Sequence, residues 1–148
     1  MIRVLLVEDS PGDVRLTREA FQHANNSIHL LVVSDGMEAL AFLRREGSDA
    51  YAPRPDLILL DLNLPRMGGH ELLAHIKSDE SLKSIPVVVL TISDAEADVE
   101  KTYELQANCY LTKPLQLSEF ESVVRGINEF WLTKVKFPKE DLARGRGA

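Results

Sequence analysis

The sequence predicts a doubly wound α/β fold: one five-stranded parallel sheet with helices on both faces. Two observations carry that expectation. Short apolar runs recur five times along the chain, each followed by a stretch of helical periodicity, and this alternation builds right-handed strand–helix–strand crossovers. The runs are also apolar without alternation, as in Val4-Leu5-Leu6-Val7 and Leu57-Ile58-Leu59-Leu60. Uninterrupted apolar strands are the pattern of a sheet buried on both faces.

The elements come in chain order. A first strand over Ile2–Val7 leads into Ser10-Pro11-Gly12-Asp13, a capping sequence with proline in the first turn of a helix that carries Val14, Leu16, Ala20, Phe21 and Ala24. A second strand spans Ile28–Val33, and Asp35-Gly36 opens a helix with Ala39, Leu40, Phe42 and Leu43 toward the core. A polar loop over residues 47–55 with two prolines precedes the third strand, which ends at Asp61. Residues 62–69 read as a loop and 71–77 as a helix. The fourth strand (87–90) precedes Ser93-Asp94 as a cap and a helix containing Ala95, Val99, Tyr103 and Leu105. The fifth strand centres on Tyr110, and the last helix shows an apolar stripe at Leu117, Phe120, Val124, Ile127 and Trp131.

A reversal of strand order makes this a flavodoxin-like sheet with order 2-1-3-4-5, whose ligand site lies beyond the carboxyl ends of the strands. Glu8, Asp9, Asp61, Thr91 and Lys113 all fall there. Three carboxylates in one place repel one another unless a cation joins them. Mg²⁺ suits the set, because it takes a few hard oxygen ligands and keeps waters that phosphate oxygens can replace. Asn63, two residues beyond Asp61, is placed to add its backbone carbonyl. Phosphoryl transfer depends mainly on positioning and charge stabilisation, so Lys113 is expected to pair with the carboxylate and then with a phosphoryl oxygen, and Thr91 to bond another. The expected product is an aspartyl-phosphate on Asp61. Each element taken alone also reads as ordinary: loop acids, a capping threonine, a surface lysine. Four strand ends supplying complementary groups to one locus is a far more specific pattern.

Composition narrows the class. The chain has 148 residues, 45% apolar and 27% charged, with a net charge of −6, the profile of one globular domain without attraction to nucleic acid or anionic membrane. No apolar run approaches the roughly 20 residues that span a bilayer, and no leader peptide opens the chain. A lone cysteine, Cys109, excludes an internal disulfide framework. These features point to the cytoplasm. His23, His29, His70 and His75 show no metal-ligand spacing.

With those residues in place, the chain resembles the receiver domains of two-component response regulators over about residues 2–131. The motifs are Val7-Glu8-Asp9, Leu60-Asp61-Leu62-Asn63-Leu64-Pro65 with Gly69, Leu90-Thr91, and Tyr110-Leu111-Thr112-Lys113-Pro114. The resemblance implies that Asp61 accepts a phosphoryl group from the phosphohistidine of a histidine kinase. It also implies that Glu8 and Asp9 bind Mg²⁺, that Thr91 and Tyr110 form a switch pair, and that Lys113 is the phosphate partner. A small shift in the fourth helix and fifth strand then changes partner affinity, a population shift between two states. Three positions depart from the family pattern. Gly68 stands where Asp is common, implying a more flexible loop. Gln106 stands where a helix-ending glycine is common, with Asn108 expected to supply the left-handed residue. Ile92 replaces a small residue after Thr91, implying restricted access to the phosphoryl group.

Val7-Glu8-Asp9-Ser10-Pro11, Asn108-Cys109-Tyr110 and Phe130-Trp131-Leu132 are especially similar to single-domain receivers that work with cyanobacterial and bacterial phytochrome kinases, implying a red-light-sensing kinase upstream. Residues 132–148 form a short basic tail with Lys134, Lys136, Lys139, Arg144 and Arg146 against Glu140 and Asp141. That tail is too short for an output domain. Val123, Phe130, Val135 and Phe137 fall outside the core stripe of the last helix. They imply a homodimer through the fourth helix, fifth strand and fifth helix with Phe130 and Trp131, or a tail that folds back over them. The enzymatic rival is an aspartate-nucleophile phosphatase of the haloacid dehalogenase type. It needs a general acid two residues after the nucleophile, where Asn63 cannot donate a proton. The expectation is therefore a phosphoacceptor, not a turnover enzyme.

Overall fold

The computed structural model describes residues 2–24 and 28–138. The side chains of His23 and Ala24, and Lys139, Glu140, Asp141, Arg144 and Arg146 of the basic tail, lie outside the described residues. Strands β1 (Ile2–Val7), β2 (Ile28–Val33), β3 (Leu57–Leu60), β4 (Val87–Thr91) and β5 (Cys109–Thr112) form one parallel sheet. Its order is β2-β1-β3-β4-β5, as expected. Helices α1 (Pro11–Ala24), α2 (Gly36–Arg44), α3 (Gly69–Ser78), α4 (Glu96–Glu104) and α5 (Leu117–Trp131) connect and cover the strands.

Successive strand residues point to opposite faces, and here both faces are covered. Leu5, Val7, Ile58, Leu60, Val87 and Val89 pack with Leu40 and Leu43 of α2 and Leu72, Leu73 and Ile76 of α3. Val4, Leu6, Leu57, Leu59, Val88 and Leu90 pack on the other side with Phe21 of α1 and Phe120, Val124 and Ile127 of α5. This explains the unbroken apolar runs: a polar residue at any of these positions would be buried on one face or the other. Burying one such side chain is worth about 2 kcal/mol. Asp35 caps α2 as expected, its side chain accepting from the Glu38 backbone N–H at 2.7 Å. Glu38 reaches back to accept from the backbone N–H and hydroxyl of Ser34, the residue before the cap. Among the described residues no helix is long and apolar enough to cross a membrane.

Four local expectations are corrected. First, α4 is shorter than expected: Ala95 and Leu105 are its caps rather than helical residues, its one fully buried residue is Thr102, and Tyr103 is half exposed. The helix EADVEKTYE carries four acids and little apolar surface, so it has little to bury. Its contact to α3 is polar: Thr102 Oγ1, which donates within the helix to the Asp98 carbonyl at 2.6 Å, lies 2.9 Å from His70 Nε2 of α3. Second, Ser93 does not cap α4; Ala95 occupies the cap position, and the Ser93 hydroxyl donates to Asp98. Third, Leu117 is more than half exposed, so the core stripe of α5 begins at Phe120. Fourth, Gln106 itself adopts the left-handed conformation (φ 71°), and Asn108 does not. Asn108 is engaged at the start of β5, where Oδ1 accepts from the Val87 backbone N–H at 2.8 Å and from Lys77 Nζ at 3.3 Å.

Candidate functional site

Register decides which strand ends meet. Val7 of β1 lies opposite Leu60 of β3, so Glu8 and Asp61 leave the sheet side by side. Thr91 closes β4 opposite Thr112 of β5, and Lys113 comes immediately after. Backbone hydrogen bonds extend the ladder past the strand ends: Asp61 N–H donates to Val7 O at 3.1 Å, and Lys113 N–H to Thr91 O. The sheet, not loop flexibility, therefore aims these side chains at one point.

The two oxygens of Asp61 are held differently. Oδ1 accepts from Thr91 Oγ1 at 2.9 Å and from the Asn63 backbone N–H at 3.1 Å. Oδ2 accepts from Lys113 Nζ at 3.1 Å. The same ammonium donates to Glu8 Oε2 and to Asp13 Oδ2, the latter at 2.9 Å. Glu8, Asp61, Thr91 and Lys113 are all buried, while Asp9 stands exposed at the rim. All the predicted site side chains thus converge, with Tyr110 one step removed. Asn63 contributes its backbone N–H to Asp61 Oδ1, and its side chain is exposed.

Glu8, Asp9 and Asp61 each offer a carboxylate oxygen, and the three oxygens lie within 4.8 Å of one another. Hard anionic oxygens at that separation are a donor set for Mg²⁺ or Mn²⁺. Burial pushes the Glu8 carboxyl up to about 7, against the opposing pull of the Lys113 hydrogen bond and charge. Burial works to lower the Lys113 ammonium, but its hydrogen bonds to Glu8 and Asp13 outweigh it and hold the group well above its ordinary value. The carboxylates around Lys113 thus favour its charged form, while burial disfavours the charged form of Glu8.

Tyr110 of β5 is half-buried, and its hydroxyl donates to the Ser93 carbonyl at 2.7 Å, in the loop that begins just after Thr91. Burial raises this phenol above its usual range. Tyr103 of α4 accepts from the Tyr110 backbone N–H at 3.1 Å. Tyr110 thus bonds both the β4–α4 loop and α4. Ile92, in the same loop, is exposed rather than packed over the site.

Asp13 was missed as a site residue, because its place in the first turn of α1 reads as a capping acid. No local signal marks it, because its partner Lys113 lies 100 positions away.

A doubly wound sheet with three acids, a hydroxyl and a lysine gathered on its carboxyl edge defines a regulatory receiver, a signalling domain rather than a turnover enzyme. The chain belongs to the response regulator receiver domain family, whose model matches residues 4–125. It is 50% identical over 135 residues to response regulator Rcp1 of Synechocystis sp. (strain ATCC 27184 / PCC 6803 / Kazusa), covering 91% of this chain and 92% of that protein. The crystal structure of the Mn²⁺-bound form of Rcp1 matches with a TM-score of 0.91 at 48% identity, over 94% of this chain and 100% of that one. The phosphorylated cyanobacterial phytochrome response regulator RcpA matches with a TM-score of 0.91 at 51% identity, over 93% and 99% of the two chains. The phosphatase alternative of the haloacid dehalogenase type gains no support.

Proposed function

We propose that this protein is a phosphorylation-driven switch that accepts a phosphoryl group from a histidine kinase on Asp61. The observation that carries the reading is the division of labour around that carboxylate: a hydroxyl on one oxygen, an ammonium on the other, and two further acids beside it. Asp61 attacks the phosphorus of a phosphohistidine. The new O–P bond forms as the N–P bond breaks, and the imidazole leaves and recovers a proton. Glu8, Asp9, Asp61 and the Asn63 carbonyl would hold Mg²⁺, which supplies charge neutralisation for the acceptor and the incoming phosphoryl oxygens. Lys113 exchanges its bond to Asp61 Oδ2 for one to a phosphoryl oxygen. Thr91 moves with another, and Tyr110 and α4 adjust to it.

The similarity to a phytochrome response regulator supports a phytochrome-type kinase upstream. Residues 1–131 act as the receiver and 132–148 as a basic tail, in a cytoplasmic protein that signals through protein contacts rather than nucleic acid or membrane. A homodimer through α4, β5 and α5 fits the exposure of Phe130, whose ring meets Trp131 edge-on at 5.8 Å. Trp131 itself packs partly into the α1–α5 core, as do Val123 and Phe137, which leaves Phe130 as the principal exposed contact. Light scattering should find a dimer that Phe130→Ala weakens; a monomer for the unaltered chain overturns this part.

Incubation with Mg²⁺ and a small phosphodonor, followed by intact-mass measurement, tests the central reading. One base-labile phosphoryl adduct is expected, absent in Asp61→Asn and abolished by chelation. An adduct that persists in Asp61→Asn refutes the assignment.

A further inference from the structure

Lys113 and the acidic cluster share two carboxylates, and each has one of its own. Lys113 Nζ bonds Glu8, Asp13 and Asp61, whereas the set of mutually close carboxylate oxygens comprises Glu8, Asp9 and Asp61. Asp13 therefore belongs to the lysine alone, as Asp9 belongs to the cation cluster alone. Two carboxylates serving both an ammonium and a divalent cation set up a competition. A cation drawn onto Glu8 and Asp61 repels the ammonium beside it, and an ammonium left on those oxygens resists the cation.

We propose that Asp13 is a positioning residue that gives Lys113 a resting partner outside the cation cluster. With that partner, divalent metal can take Glu8 and Asp61 while the ammonium stays within reach of Asp61 Oδ2. The inference rests on the phosphoacceptor reading and names a residue that reading does not use.

Local structure supports the role. Asp13 sits in the first turn of α1, where its backbone N–H donates to Ser10 Oγ at 3.3 Å and its carbonyl accepts from the buried Thr17 hydroxyl at 2.7 Å. The Ser10 backbone N–H also donates to Glu8 Oε1 at 3.1 Å. One turn thus holds both carboxylates that flank the ammonium, with Glu8 buried on the inner side and Asp13 partly open to solvent on the outer side. A resting partner needs that asymmetry, because a half-solvated pair is easier to loosen than a buried one.

The test is a double-mutant cycle read by calorimetric Mg²⁺ titration. Asp13→Asn should weaken Mg²⁺ binding by roughly fivefold, toward the low end of the coupling between contacting charged groups, here transmitted through Lys113. It should also slow adduct formation most at limiting Mg²⁺. In a Lys113→Met background, Asp13→Asn should leave Mg²⁺ affinity unchanged, because Asp13 acts through the lysine. Asp13→Glu, which keeps the charge on the same helical turn, should restore most of the affinity and covers the case that the Asn variant is unstable. An unchanged affinity in Asp13→Asn overturns the proposal, and so does an equal loss in both backgrounds, which would mean direct attraction between Asp13 and the metal. Absence of any Asp61 adduct in the unaltered protein would instead defeat the underlying phosphoacceptor reading, so the two failures are distinguishable.

Discussion

The Thr91 hydroxyl donates to Asp61 Oδ1 at 2.9 Å, joining the ends of β4 and β3 in a pocket where both residues are buried. The bond places the hydroxyl where a phosphoryl oxygen on Asp61 can draw it. Thr91→Val keeps the shape and removes the donor. It should cost about 1 kcal/mol of stability and still allow an adduct on Asp61 by mass spectrometry. The response of Tyr110 to phosphorylation, tracked by NMR, should be lost. A full Tyr110 response in Thr91→Val would sever the proposed coupling.

Glu8 links metal binding to pH. Its folded value near 7 lies above the ordinary 4.5, so between those values the metal-free folded protein holds a proton that the unfolded chain has released. The stability from this group is present at low pH and lost as pH rises through about 7. A ligating carboxylate must be ionised, so Mg²⁺ binding should release protons near neutrality and weaken as pH falls below 7. Titrations in buffers of different ionisation enthalpy measure that release, and Glu8→Gln should abolish it. Proton release unchanged in Glu8→Gln would assign the titration elsewhere.

Gly69 marks how closely the acceptor loop is pressed onto the strand end. A Cβ there would lie 2.5 Å from Leu62 Cα and 2.6 Å from the Asp61 carbonyl oxygen, both backbone atoms with little freedom to move. Gly69→Ala should destabilise the fold by about 1–3 kcal/mol and reduce adduct formation by displacing Asp61. Gly68, with open space around it and an ordinary φ of −68°, should accept alanine with little change. Denaturant melts of the pair check both outcomes.

Gln106 carries a strained backbone on an exposed turn after α4, with φ at 71°. Gly at this position removes the Cβ penalty of the left-handed region. Gln106→Gly should therefore raise stability by about 0.5–1 kcal/mol in urea unfolding, whereas Asn108→Gly should lower it by removing the acceptor for Val87 N–H and Lys77.

The strands and the residues at their tips were legible because both signals are local. Leu57 to Leu60 read as a buried strand from their own side chains, and Asp61 stands out as the acid that ends the run. The spacing of Val99 and Tyr103 placed α4 as a helix, but spacing does not say which of its residues a neighbouring element covers. Thr102, a polar residue, became its buried anchor because His70 of α3 sits opposite.

Sequence alone marked the candidate residues at the strand tips: an unbroken apolar run must be buried on both faces, and the residue that ends it must emerge at the sheet edge. Tertiary structure decided which of them touch. Lys113 reaches Glu8 across 105 positions and Asp13 across 100, contacts set by crossover handedness and strand register rather than by any local pattern. The pairing of Asp13 with Lys113 exists only once β5 has been laid beside β4 and α1 has been folded back over β1, because no periodicity within either segment encodes their distance.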